Sequence, residues 1–280
     1  MLSYTPSNME ELQQSLSCLT KDSKLIGGGT DLIIRLNMGI CKPDALCYLG
    51  YIKELKEIKW EGDRLSIGAY ATMTQMQNHP DIQKYFPALV DAASDVGSLQ
   101  IRNNGTIGGN IGNASPAGDL IPVMYLYDAM IEITGPEGVR EAAIDQVIER
   151  PGRTTLACNE AITRILLPRP SFISSFVKLG FRKKVTIARI GVALGIEMDG
   201  DYVKEMRFVA GAISLKPVRL TKAEEFIKGK ALNEQIVMDV AQMLSDLIME
   251  ITPKEFDRDY KVFASRGVVM DAFKRLGQNR

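Results

Sequence analysis

Two glycine-rich segments carry the residue types best suited to chemistry. The first, residues 27–31, has the sequence GGGTD; it follows the apolar run Lys24–Ile26 and precedes residues 32–38, which have a helical composition. At such a strand–turn–helix junction, backbone N–H groups that no side chain shields can approach a phosphate. The pattern predicts a dinucleotide site, although a structural turn explains a single glycine triplet equally well.

The second segment strengthens this prediction. Residues 105–110 have the sequence GTIGGN and residues 114–119 have the sequence ASPAGD, which together offer glycine amides, two hydroxyls and the carboxylate of Asp119. Each glycine costs about 0.5–1 kcal/mol relative to alanine in regular structure, so their concentration here favours binding over a turn. Pyrophosphate and ribose are the groups that such a set could hold. The pattern is not the Rossmann motif G-x-G-x-x-G, because Leu32 stands where its third glycine would be.

Apolar spacing and turn residues predict the elements that position these segments. Pro168 and Pro170 mark the best candidate boundary, since two prolines interrupt regular hydrogen bonding and an antiparallel-strand pattern follows them. The predicted strands are 24–26, 45–49, 58–60, 64–67, 130–134, 161–167, 172–181, 190–198 and 202–212. The predicted helices are 9–19, 32–38, 52–58, 72–78, 82–96, 221–227, 233–251 and 261–276. The second glycine segment is predicted to be a loop between helices.

Composition limits the classes of protein that fit. A chain of 280 residues exceeds the usual size of one hydrophobic core, so we expect at least one internal boundary. The 34 basic side chains equal the 34 acidic ones in number, which argues against nucleic-acid binding. The sequence does not open with a basic segment followed by an apolar one, and no apolar run approaches the roughly 20 residues of a membrane span. We therefore expect a cytoplasmic protein.

Cysteine and histidine are too scattered for any recognised metal-site spacing. Cys18, Cys41, Cys47 and Cys158 form no C-x-x-C pair, and His79 is the single histidine. We expect reduced, mostly packed thiols and no metal site.

The two glycine segments also carry a family resemblance. Residues 25–32 (LIGGGTDL), 100–110 (QIRNNGTIGGN) and 114–119 (ASPAGD) resemble the FAD-binding (medium) subunit of the molybdenum hydroxylases, the family of xanthine dehydrogenase and carbon monoxide dehydrogenase. The resemblance covers essentially the whole chain. It implies an α+β, PCMH-type FAD-binding fold of the vanillyl-alcohol oxidase type over residues 1–170, with subdomains of about 1–54 and 55–170. A small α+β C-terminal domain, an antiparallel sheet with helices, would follow over residues 171–280.

The resemblance assigns residues to the cofactor. It implies that the first segment wraps the pyrophosphate, that the second completes the contacts to diphosphate and ribose, and that two apolar residues pack on the rings. Lys178 matches a family lysine near the flavin, where a cation would favour the negative charge of reduced isoalloxazine. The flavin itself would be the redox group. The implied cofactor-binding residues are Leu25, Ile26, Gly27, Gly28, Gly29, Thr30, Asp31, Leu32, Val96, Thr106, Ile107, Gly108, Gly109, Asn110, Asp119, Ile162 and Lys178.

The implied function is electron transfer within a complex. A molybdopterin-binding large subunit and a two-iron–two-sulfur small subunit would deliver electrons to FAD, which would pass them to NAD or another acceptor, as in xanthine dehydrogenase. Val185 and Thr186 occupy positions where NAD-using xanthine dehydrogenases often carry acidic residues, which counts against NAD. His79 lies outside both glycine segments, so we expect FAD to be held non-covalently.

Two alternatives remain at this point. A stand-alone flavin oxidoreductase of the same fold would need a proton donor over the flavin, and no such residue stands out in the sequence. A scaffold protein with a vestigial cofactor fold would have damaged loops, whereas GGGTD and GTIGGN are intact.

Overall fold

The computed structural model describes residues 1–252 and 256–279. The strands of these residues are β1 (Leu2–Tyr4), β2 (Lys24–Ile26), β3 (Ala45–Tyr48), β4 (Ile58–Glu61), β5 (Arg64–Gly68), β6 (Met130–Gly135), β7 (Gly138–Ala143), β8 (Ile148–Arg150), β9 (Arg153–Thr154), β10 (Ala161–Pro168), β11 (Ile173–Gly180), β12 (Ala188–Asp199), β13 (Tyr202–Gly211) and β14 (Val218–Arg219). The α-helices are α1 (Met9–Ser17), α2 (Leu32–Asn37), α3 (Met73–Asn78), α4 (Pro80–Tyr85), α5 (Pro87–Asp95), α6 (Leu99–Asn104), α7 (Ile107–Asn113), α8 (Leu120–Leu126), α9 (Ile144–Val147), α10 (Thr221–Ile227), α11 (Glu234–Ile251) and α12 (Arg258–Gln278). Among the described residues, no helix combines the length and the apolar character that a membrane crossing requires.

The chain packs into two compact units. The first comprises Met1–Gln75, Ser98–Ala114 and Asp128–Arg169. It contains a parallel sheet of order β1-β3-β2, an antiparallel sheet of order β4-β5-β10-β6-β7 and the small pair β8-β9.

Helix α1 covers the parallel sheet because its apolar residues recur at helical spacing. Leu12 and Leu16 are fully buried and belong to one hydrophobic cluster with Cys47 of β3. The side chain of Asn8 accepts a hydrogen bond from the backbone N–H of Glu11 at 2.9 Å and so caps the helix. This is the strand–helix frame that the sequence predicts around the first glycine segment.

The second unit comprises Met76–Gly97, Ser115–Tyr127 and the described part of Pro170–Arg280. Its antiparallel sheet has the order β11-β12-β13-β14. Helices α10, α11 and α12 share one hydrophobic core with this sheet, in which Leu244 of α11 and Val269 of α12 join Phe208 of β13. The division of the chain at Pro170 stays a prediction, since two segments before that residue pack in this unit.

Three sequence predictions differ from the structure. The expected helix 82–96 is broken into α4 and α5 at Phe86, because a residue that precedes proline, here Pro87, is disfavoured in helical conformation. The expected helix 52–58 is reduced to a 3₁₀ turn at Glu54–Lys56. The expected loop at GTIGGN is largely the helix α7, which begins directly after Thr106.

Candidate functional site

The first glycine segment connects β2 to α2. Gly29 has a φ of +70°, a left-handed conformation that glycine adopts without strain. Within the part of the chain that the structure describes, the backbone N–H groups of Gly28, Gly29 and Thr30 donate no hydrogen bond. These half-buried residues therefore present free donors to an incoming acceptor such as a phosphate oxygen.

The second glycine segment packs directly against the first. A Cβ atom on Gly28 would lie 1.6 Å from the carbonyl oxygen of Asn104, a distance at which two atoms cannot coexist. A Cβ atom on Gly27 would lie 2.9 Å from the Oγ1 atom of Thr106. The two segments, which the sequence predicts separately, thus form one cradle, and glycine is needed where their backbones touch. We call residues 27–31 and 104–110 together the glycine cradle.

The N-terminal amides of α7 are already paired within the protein. The N–H of Ile107 donates to the carbonyl of Ala71 at 3.0 Å, and that of Gly108 donates to the carbonyl of Ala69 at 2.9 Å. The N–H of Gly109 donates to Thr106 Oγ1 at 3.1 Å. The free amide donors of the glycine cradle therefore lie in the first segment, while the second shapes the cradle.

The second segment nevertheless offers one acceptor. The Oδ1 atom of Asn110 is buried and has no hydrogen-bond partner among the described residues. Leaving a buried polar atom unpaired costs roughly 1–3 kcal/mol, so such an atom indicates a missing partner. A hydroxyl or amide of a bound ligand would satisfy it.

The remaining assigned residues of the first unit either flank the glycine cradle in the sequence or lie in the antiparallel sheet. Leu25 and Ile26 belong to β2, and Leu32 begins α2. Asp31 is more than half exposed and lies 3.9 Å from Arg35. Ile162 is buried in β10 opposite Ile133 of β6, and its packing against the cofactor stays a prediction.

The second unit holds a buried ion pair between two of the assigned residues. The ammonium of Lys178 on β11 donates to Asp119 Oδ2 at 2.7 Å and to the carbonyl oxygen of Asp95 at 2.7 Å. The side chains of Lys178 and Asp119 are 4% and 8% exposed. A strand lysine facing water, the ordinary alternative for Lys178, is therefore excluded.

The environment of Asp119 changes its protonation. Burial raises the pKa of this carboxyl to about 7, although the charge and the hydrogen bond of Lys178 lower it and the charge of Asp95 raises it. The Oδ1 atom of Asp119 is buried without a partner among the described residues. Near neutral pH this carboxyl is thus close to the midpoint between its ionised and protonated forms.

The other residues of interest in this unit have simpler surroundings. Val96 is half-buried and ends α5, directly after Asp95. His79 lies between α3 and α4. Sequence reasoning missed Asp95, and its position next to Val96 was the only available signal.

Each set of residues, taken by itself, fits a group found in a phosphate-containing redox cofactor. The first unit supplies unpaired amides in a cradle that side chains would fill, together with the unpaired oxygen of Asn110. The second supplies a buried cation, the ammonium of Lys178. Backbone amides donate to a diphosphate, the amide oxygen of Asn110 can accept from a ligand hydroxyl or N–H, and a buried cation can tune a redox-active ring.

Comparison with known families agrees with this chemistry. The family described as "FAD binding domain in molybdopterin dehydrogenase" matches residues 1–170. The family described as "CO dehydrogenase flavoprotein C-terminal domain" matches residues 175–276.

Individual relatives extend over nearly the whole chain. The nicotinate dehydrogenase FAD-subunit of Eubacterium barkeri is 34% identical, over 98% of this chain and 93% of the relative. The glyceraldehyde dehydrogenase medium chain of Sulfolobus acidocaldarius is 28% identical, over 95% of this chain and 96% of the relative. Among solved structures, a chain of carbon monoxide dehydrogenase from Hydrogenophaga pseudoflava superposes with a TM-score of 0.90 at 27% identity, covering 100% of this chain and 98% of that one.

The fold and the two matched domains define a flavoprotein: the chain is an FAD-binding oxidoreductase subunit. More specifically, it belongs to the FAD-binding medium subunits of the molybdenum hydroxylases. The resemblance inferred from the glycine segments is thereby confirmed, as is the expected α+β class with an FAD-binding domain and a C-terminal domain.

Proposed function

We propose that this chain relays electrons within a multi-subunit molybdenum hydroxylase, receiving them on FAD and passing them to a separate acceptor. The observation that carries the proposal is the glycine cradle, with its close backbone contact at Gly28 and its unpaired amides, in a chain of this family. When bound, FAD supplies the ability to accept electrons singly and to deliver them in pairs. The chain's own residues bind the cofactor, orient it and set its electrostatic surroundings.

We propose the following contacts in the first unit. The amides of Gly28, Gly29 and Thr30 donate to the diphosphate, and Asn110 Oδ1 accepts from a hydroxyl of the cofactor. The apolar side chain of Ile162 packs against a ring. The full proposed set in this unit is Leu25, Ile26, Gly27, Gly28, Gly29, Thr30, Asp31, Leu32, Thr106, Ile107, Gly108, Gly109, Asn110 and Ile162.

In the second unit the proposed cofactor-binding residues are Val96, Asp119 and Lys178. Lys178 is buried and bears a positive charge that would favour electron density on a neighbouring flavin. Asp119 fixes the position of that ammonium through their 2.7 Å contact.

The proposed partners are a molybdopterin-binding large subunit and a two-iron–two-sulfur small subunit. The names of the relatives support this proposal, since they are called FAD-subunit and medium chain. The same names disfavour a stand-alone enzyme.

NAD is one proposed acceptor of the electrons, and a cytoplasmic location stays a prediction of the sequence.

In this proposal the substrate is oxidised on the large partner; the sequence predicts a xanthine dehydrogenase-like complex but does not name the substrate. The relative at 34% identity is named for nicotinate, which, like xanthine, is a nitrogen-containing aromatic ring. We therefore propose this wider chemical class, with xanthine as one member. Reduction of the flavin by xanthine and by nicotinate, each added to the purified complex without oxygen, would discriminate between them.

The test of the proposed function is purification of the chain with its natural neighbours, followed by a visible spectrum before and after acid precipitation. We expect a yellow complex whose colour passes into the supernatant, because FAD is held non-covalently. A colourless preparation would refute FAD binding, and a yellow pellet would show a covalent bond. Absence of copurifying large and small subunits would refute the complex.

A further inference from the structure

The buried pair of Asp119 and Lys178 has one unused position. Lys178 binds the Oδ2 atom of Asp119, while Oδ1 is buried without a partner among the described residues. A buried carboxylate oxygen without a hydrogen bond is unfavourable, and protonation of that atom removes its charge. Oδ1 can therefore bind a proton while Oδ2 continues to accept from Lys178.

Protonation at this position changes the charge of the pair. With Asp119 ionised, the carboxylate and the ammonium cancel, so the pair presents no net charge. With a proton on Oδ1, the pair carries one positive charge. The pair is thus able to respond to negative charge that develops nearby, because such charge favours the protonated carboxyl.

We propose that Asp119 binds a proton when the bound FAD is reduced and releases it when FAD is reoxidised. This inference rests on the proposed function, in which both residues of the pair belong to the cofactor-binding set. Its role is electrostatic: the proton converts a neutral pair into a cationic one while the reduced cofactor bears negative charge.

Reduction of bound FAD to its anionic reduced form would consume two electrons, supplied one at a time by the iron–sulfur donor of the proposed partner, and one proton from solvent. The Asp119 carboxylate binds a second solvent proton at Oδ1, so two protons enter for two electrons. Reoxidation by the electron acceptor removes both electrons and the flavin proton, and Asp119 returns its proton to solvent.

The charged groups around Asp119 are compatible with this exchange. Lys178 on β11 lowers the pKa of Asp119 and Asp95 at the end of α5 raises it, but burial dominates and raises it to about 7. The carboxyl is therefore ionised above about pH 7 before reduction. Added negative charge would raise its pKa further, which opens a pH range in which reduction and proton binding are linked.

The test is the pH dependence of the flavin midpoint potential in the intact complex, measured by anaerobic spectroelectrochemistry. Each proton bound per two electrons shifts a two-electron potential by about 30 mV per tenfold change in proton concentration. Above about pH 7 we expect a slope of about 59 mV per pH unit for the unaltered protein and about 30 mV for Asp119→Asn, which cannot bind the proton. Asp246→Asn makes the same chemical change at an exposed position of α11 and should keep the steeper slope.

Equal slopes for the unaltered protein and Asp119→Asn would overturn the proposal. If Asp119→Asn loses FAD, proton uptake by the unaltered complex decides the question: a pH-indicator dye should report about two protons per flavin, and about one would overturn it. A complex that contains flavin but takes up one proton refutes this inference alone. A complex without flavin refutes the proposed function as well.

Discussion

Replacement of Gly28 by alanine is the sharpest test of the glycine cradle. The added Cβ atom would lie 1.6 Å from the carbonyl oxygen and 2.5 Å from the carbonyl carbon of Asn104, whereas real Cβ contacts are essentially never shorter than 3.0 Å. The two backbone segments must therefore separate by about 1.4 Å, since neither obstructing atom belongs to a flexible side chain. Forced overpacking of this kind typically costs about 1–3 kcal/mol.

The expected consequence is weaker FAD binding. If this cost of about 1–3 kcal/mol applies only to the conformation that binds FAD, the Kd for FAD increases roughly 5- to 150-fold. Titration of FAD into apo-protein measures this change, and denaturant unfolding measures the loss of stability. Gly28→Ala with the Kd and stability of the unaltered protein would refute the packing argument.

The chain offers a matched control in the same region. Gly112 lies in α7, and a Cβ atom on it would meet nothing within 4 Å. Gly112→Ala should therefore leave FAD binding unchanged and stabilise the helix by up to about 1 kcal/mol. Equal losses in both variants would mean that any added methyl group in this region disturbs the protein.

Three further predictions concern other parts of the molecule. Lys178→Met should leave FAD bound and lower the flavin midpoint potential, because a buried cation that favours electron density on the flavin is lost. Spectroelectrochemical titration measures the potential, and Lys183→Met, on an exposed turn, should leave it unchanged. Tyr127→Phe removes a buried 2.6 Å hydrogen bond to the Ser174 hydroxyl and should lower the free energy of unfolding by about 1 kcal/mol in urea titration, whereas no change would show that the bond contributes nothing net. The pKa of Glu160 is lowered mainly by its hydrogen bond with an arginine, so its ionised form contributes stability above the unfolded pKa that is lost as pH falls through the lower, folded value. Glu160→Gln should therefore cost about 0.5–1 kcal/mol at pH 7 and progressively less as the pH falls below the unfolded pKa, measured by urea unfolding at several pH values; a pH-independent cost would contradict this.

Much of the fold was predictable because its signals are local. The apolar positions Leu12 and Leu16 at helical spacing predict α1, and Asn8 predicts where it starts. The hairpin from β12 to β13 follows from the turn residues between two strand-like runs, with Gly200 in a left-handed conformation. The break at Phe86 was also local, since Pro87 is visible in the sequence, and it was missed because the apolar pattern continues across it.

The form of the second glycine segment was not predictable in the same way. Glycine has low helix propensity, so GTIGGN was expected to be a loop. The structure makes it helical, with Thr106 Oγ1 capping Gly109 and with the carbonyls of Ala69 and Ala71 accepting from the first amides. Those two partners lie more than thirty positions away in sequence, and contacts over such separations outweigh local preference only once the chain is packed.

The sequence by itself indicated a dinucleotide site and the family that carries it, because two glycine-rich segments in this order are specific even though a single glycine triplet is not; the residues assigned to the cofactor stay a prediction. Tertiary structure alone decided which groups those residues contact and how deeply they are buried. It placed the carbonyl of Asn104 against Gly28, and it buried Lys178 against Asp119, 59 positions away, with one carboxyl oxygen unpaired. Charge state and proton affinity depend on burial and on neighbours distant in the chain, and those are properties of packing that no local pattern encodes.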